Sequence, residues 1–134
     1  MLFGGLIGFD REQASKPAGL RTHMLVAGAA ALLVGVSSVM LEQVAPQAAM
    51  VRSDPVRVIE AIITGISFIG AGTILRRNRA DQVEGLTTAA SLIMCAATGI
   101  CIALRQFVLA TGATLLTLFV LRGLGPIEKW IQKK

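Results

Sequence analysis

One uncharged run dominates this chain. Past Glu60 no charge interrupts the sequence until Arg76, and Val56 to Leu75 is 20 residues. As a helix that run is about 30 Å long, the thickness of a bilayer's hydrocarbon core. Two comparable segments, Met24–Leu41 and Leu86–Leu104, lie on either side of it, and Gln106–Leu121 follows after a single charged break. Only 16% of the 134 residues are charged. A soluble domain of this length needs a polar shell, and too few polar residues are present to build one. A polytopic all-α membrane bundle is the fold these constraints leave.

The run has a marked start. Asp54 suits an N-cap and Pro55 the first helical position, where no amide donor is required. Arg57 and Glu60 stand three apart and are expected to pair. On a helical projection Ile59, Ile62, Ile66 and Ile69 share one side. Ala61, Thr64, Gly65, Ser67, Phe68, Ala71 and Gly72 fall largely on the other, and Gly70 lies nearer the isoleucines. Small residues let membrane helices approach closely, so Gly65, Gly70 and Gly72 are expected contact positions and this helix the hub of the bundle. Gly28, Ala31, Gly35 and Ser38 form a similar stripe in the preceding span.

The N-terminal Met1–Phe9 is apolar but reaches only about 14 Å as a helix, so the first helix is short or truncated. Gly4 and Gly8 carry the small-residue spacing there. Asp10–His23 reads as a loop turned by Pro17 and Gly19. Thr22 is its expected cap for the next helix, and His23 a hydrogen-bonded residue at the membrane edge. Thr87, Ser91 and Thr98 share a face of the Leu86–Leu104 span. Such hydroxyls either bond backbone carbonyls or line an ion path, and no acidic residue accompanies them mid-helix. Cys95 and Cys101 diverge on that helix and do not bridge each other. A tight reversal is expected near Arg105. Residues 1–121 make the bundle, and 122–134 a basic tail that lies on the membrane surface with Trp130 at headgroup level.

Net charge is +5. The cations sit between apolar segments, not along one polar face, which argues against nucleic acid. Arg11, Lys16, Arg21, Arg76, Arg77, Arg79, Arg122, Lys129, Lys133 and Lys134 fall on one side of the expected topology. Arg52, Arg57 and Arg105 fall on the other. The positive-inside rule places the larger group, and the C-terminus, in the cytoplasm.

Three blocks then resemble the MgtC/SapB family of bacterial inner-membrane proteins. They are GFDRE with KPAGLRTHMLV (Gly8–Glu12, Lys16–Val26), DPVRV with TGISFIGAGTI (Asp54–Val58, Thr64–Ile74), and VEGLTTAASL (Val83–Leu92). The resemblance implies five transmembrane helices, a role in survival under magnesium limitation and, in pathogens, virulence. It also implies regulation of other membrane proteins, including restraint of the F-type ATP synthase. The chain departs from the family pattern in several places. Asp10 stands where glutamate is usual, and Ile93 where tryptophan is common. The glycine-rich turn before Arg105 is missing, as is the C-terminal ACT-type domain of many members.

The functional expectation is a regulator working through helix–helix contacts with a membrane-protein partner, such as that synthase or a sensor or transporter, or with further copies of itself. The alternative is a cation carrier, for which only Glu60 offers a carboxylate near the membrane, since magnesium calls for oxygen ligands. No nucleophile–base set, metal-ligand cluster or phosphate loop points to an enzyme or a cofactor. The residues singled out for function are Asp10, Arg11, Glu12, Lys16, Pro17, Gly19, Arg21, Thr22, His23, Asp54, Arg57 and Thr87. Ser91 joins Gly28, Gly35, Gly65, Gly70 and Gly72 as a packing position. Asp10 and Glu12 are expected to pair with Arg76 or Arg77.

Overall fold

Five helices follow one another in a computed structural model that describes residues 1–44, 54–75 and 84–124. They are α1 (Leu2–Gln13), α2 (Leu20–Val44), α3 (Pro55–Leu75), α4 (Leu86–Ala103) and α5 (Phe107–Gly123). Among the described residues α2, α3 and α4 are long and apolar enough to cross a membrane. α5 is apolar and slightly shorter, and α1, at 12 residues, spans about 18 Å. The expected helical membrane bundle with a short first helix is therefore the architecture found. The basic tail beyond Leu124, with Trp130, and the arginines at 76, 77 and 79 lie outside the described residues.

The hub is α4, not α3. α4 packs against all four other helices, whereas among the described residues α3 meets only α4 and, more sparsely, α2. The reason is the distribution of small buried residues. Ser91, Leu92, Cys95, Ala96 and Gly99 of α4 are buried together, facing Ala27, Ala30 and Val34 of α2 in one core cluster that also holds Ile7, Ile62 and Ile66. At Gly99 even a methyl group would run into the backbone carbonyl of Ala27. The two helices thus touch backbone to backbone.

Other glycines sort differently from the expectation. Gly4 and Gly8 do mark the α1–α2 contact: a Cβ there would lie 2.6 Å from the His23 carbonyl oxygen and 2.8 Å from Leu20 Cα, respectively. Gly70, the residue out of step with its helix's small face, is buried against Ala89. Gly28 meets only the side chain of Met1, and Gly35, Gly65 and Gly72 meet nothing within 4 Å. The isoleucine side of α3 turns inward through Ile62 and Ile66, and its small side faces outward. Among the described residues, then, Gly35, Gly65 and Gly72 are not packing positions.

Both short connections end their helices the same way. Ser15 and Arg105 take positive φ (51° and 58°). Each follows a helix whose last carbonyls are closed by the next amides: Ser15 and Lys16 donate to Glu12 and Arg11, and Arg105 and Gln106 donate to Ile102 and Cys101. This double backbone closure makes the reversal at Arg105 without a glycine. α3 starts as expected, with the Val56 amide donating to Asp54 Oδ1 at 3.0 Å.

Gly99→Ala is expected to destabilise the bundle by about 1–3 kcal/mol, because the added carbon meets backbone that cannot step aside. Gly65→Ala should be neutral or better, since alanine is the stronger helix former and has room. Thermal unfolding of the two variants in detergent checks the contrast.

Candidate functional site: a polar knot at one end of the bundle

The charged motif does not form the long loop expected from its composition. Asp10–Gln13 continues α1 and Leu20–His23 already belongs to α2, which leaves residues 14–19 as the link. The helix begins early because a remote carboxylate caps it. Glu12 Oε2 accepts a hydrogen bond from the Leu20 amide at 2.8 Å. Thr22, two residues inside the helix, is not the cap. Gly19 makes room for this arrangement, since a Cβ there would sit 2.7 Å from the same Glu12 oxygen. Pro17 is exposed at the turn, and Ala18 beside it is buried.

Asp10 is the centre of the knot. Its carboxylate is buried and takes two guanidinium groups. Arg11 donates through Nε (3.1 Å) and Nη2 (2.6 Å) to Oδ2. Arg122, near the end of α5, donates through Nε to Oδ1 at 2.7 Å and through Nη2 to Gln13 Oε1 at 2.7 Å. The Arg11 and Asp10 side chains are each 6% exposed, against 65% for Arg122. The partners of Asp10 and Glu12 among the described residues are therefore Arg11, Arg122 and the α2 amide. The expected pairing with Arg76 or Arg77 falls on residues outside those described. Arg122 was read as the start of a tail, yet it clamps α5 to α1 across 112 positions of sequence. No local signal in the sequence links it to Asp10.

One turn further along α2, His23 is fully buried instead of sitting at an edge. Its Nδ1 lies 2.9 Å from the Gly19 carbonyl oxygen, which can only accept, so Nδ1 carries a hydrogen. Nε2 meets Ser91 Oγ of α4 at 3.0 Å, and the one hydroxyl hydrogen of Ser91 lies between that nitrogen and the Thr88 carbonyl oxygen, 2.8 Å from Oγ. The Cys95 thiol donates to the His23 carbonyl at 3.3 Å. Ser91 is thus a packing residue with a directional bond, and Thr98 bonds its own helix at Met94. The hydroxyls of Ser91 and Thr98 thus serve backbone and neighbouring helix, in line with the first of the two readings, whereas Thr87 makes no such bond among the described residues. Thr88, which sequence reasoning passed over, is buried with an Oγ1 that has no partner.

The remaining candidates stand apart from the knot. Lys16 and Arg21 are exposed and line an open cleft with Glu12, Ser15, Gly19 and Thr22. Thr87 faces outward into an apolar groove of about 290 Å³ between α4 and α5, shared with Ser91, Met94 and Thr117. Asp54 and Arg57 are exposed at the start of α3. Among the described residues Arg57 and Glu60 form no ion pair, against the expectation.

The sequence model of the MgtC family matches residues 1–130. The chain belongs to the MgtC family. It is 40% identical over 118 residues to the protein MgtC of Salmonella typhimurium, covering 88% of this chain and 46% of that one. It is 40% identical over 117 residues to an Escherichia coli protein named "Putative magnesium transporter YhiD", covering 87% and 53%. An uncharacterized protein of Haemophilus influenzae is 34% identical over 134 residues, all of this chain and 56% of that one. The chain thus spans about half the length of these relatives. No solved structure matches it.

Asp10→Asn should cost this MgtC-family bundle about 3–5 kcal/mol, because it strands a buried guanidinium. Arg122→Gln removes the exposed partner and should cost about 1 kcal/mol. Paired melting curves of the two purified variants give the ordering, and equal losses would contradict it.

Proposed function

We propose that this protein is a bacterial inner-membrane regulator of the MgtC kind. It supports adaptation to low magnesium and, in a pathogen, survival inside host cells. It acts by contact with other membrane proteins, the F-type ATP synthase being the first candidate. The C-terminus and the polar knot lie in the cytoplasm on this reading, in line with the positive-inside balance.

The observation that carries the proposal is how the charges of the knot are used. Asp10 is committed to two guanidiniums and Glu12 to a helix amide. A hydrated magnesium ion needs free oxygen ligands, and these two are already engaged. Lys16 and Arg21 face outward at the same end without an ion-pair partner among the described residues. Unpaired cations on an outer surface suit recognition of an acidic partner better than passage of a cation.

Transport is the second reading, favoured by the name carried by the Escherichia coli relative. Two measurements separate them. Lys16→Ala with Arg21→Ala should abolish rescue of low-magnesium growth in a strain lacking its own MgtC-family gene, while membrane abundance stays unchanged. Liposomes holding only this protein should show no saturable magnesium uptake. Saturable uptake that persists in the double variant would replace regulation with transport.

A further inference from the structure

The outward face of α3 differs from every other outward face in the bundle. α1 shows Leu2, Leu6 and Phe9. α2 shows Leu25, Leu32, Val36 and Met40, and α5 shows Val108, Leu109, Leu115 and Phe119. These are side chains suited to lipid. α3 exposes Val56, Phe68 and Ile69 as well, but beside them runs a line at helical spacing of Glu60, Thr64, Ser67 and Ala71, flanked by Arg57, Gly65 and Gly72. Thr64 and Ser67 lie either side of the helix midpoint, at hydrocarbon depth.

Several hydroxyls on these helices return their hydrogen to a carbonyl three or four residues back, as Ser38, Thr73, Thr111 and Thr114 do, with Thr88 a buried exception. Among the described residues Thr64 and Ser67 make no such bond, and Arg57 and Glu60 make no ion pair. Lipid tails satisfy neither hydroxyl, while Arg57 and Glu60 stand in the first two turns of α3, at the membrane edge.

We infer that a second copy of this chain covers the α3 face. Two copies inserted in the same sense are related by a two-fold axis normal to the membrane, so their α3 helices run parallel and equal residues meet at equal depth. Arg57 and Glu60 carry opposite charges on the same face, about 4.5 Å apart in height. Across the axis each arginine then meets the glutamate of the other copy, twice over. The face is self-complementary in charge, which a surface evolved only for lipid has no reason to be. Ser67 meets Ser67, where hydroxyls bond across, and Ala71 with Gly72 lets the backbones close in. Phe68, 83% exposed, stands beside an apolar groove of about 350 Å³ between α2 and α3 that includes Ala61 and Gly65, a seat for the same ring of the other copy. This pairing does not depend on the regulatory reading above.

Oxidative cross-linking in native membranes tests it. Ser67→Cys should trap a disulfide-linked pair, while Leu115→Cys on the lipid face of α5 and the parent chain, with Cys95 and Cys101, should not. Arg57→Glu and Glu60→Arg should each lower trapping of the Ser67→Cys chain about tenfold, the scale of one membrane polar contact, and the double exchange should restore it. Gly72→Leu places bulk where nothing lies within 4 Å in a single copy, so it should leave the fold intact and still lower trapping. Ser67→Cys trapping no better than Leu115→Cys, or only onto other proteins, would overturn the pairing. So would trapping that neither charge reversal nor Gly72→Leu reduces.

Discussion

The bundle rests on one close approach, α2 against α4 along Ala27 and Gly99. In lipid there is little hydrophobic gain from bringing two apolar helices together, so association depends on packing and on polar bonds across the interface. Both are present on this seam. Backbone meets backbone at Gly99, and a turn or two away His23 ties α2 to Ser91 and Cys95 of α4. α1 then lies on α2 through Gly4 and Gly8, and α5 is drawn to α1 by Arg122. The charged end is thereby a product of the apolar seam: the helices that carry Asp10 and His23 are held in place by glycine contacts deeper in the core, and Arg122 then brings α5 onto α1.

Within this arrangement charge has two different uses. Asp10, Arg11 and Glu12 are structural members, buried or engaged in capping, and lend the end of the bundle its shape. Lys16 and Arg21 are presented outward on the link that those residues hold. A family motif that reads as one functional block is thus two layers, an inner one that builds and an outer one available for contact.

Much of the fold was legible in the sequence because lipid imposes length and polarity on each span. The segment count, the short first helix, the cap at Asp54 and the reversal near Arg105 follow from those constraints. What was not legible is partner choice. Gly65 and Gly72 look like packing residues by spacing alone, yet the buried glycines among the described residues are Gly4, Gly8, Gly70 and Gly99, and Gly99 lies in no stripe that spacing picks out. Spacing says which residues share a face; it does not say which face has a neighbour. Arg122 was missed for the same reason, since its partner Asp10 is 112 residues away. The candidate site was read as a loop because charge is common in loops. It is two helix ends because Glu12 supplies a cap that no local pattern announces.

The closure at Arg105 bears on how the molecule sits in its solvent. α4 and α5, at 18 and 17 residues, are about 26 Å long, while α2, at 25 residues, reaches about 37 Å. Because the carbonyls at the end of α4 are satisfied by the turn's own amides, that turn needs no water and can lie below the headgroups. The rim of the protein is therefore uneven, tall along α2 and low along the α4–α5 hairpin. The extra turns of α2 are polar, with Arg21 and Thr22 at one end and Glu42 and Gln43 at the other, so they stand among headgroups and water while its apolar stretch matches that of α4.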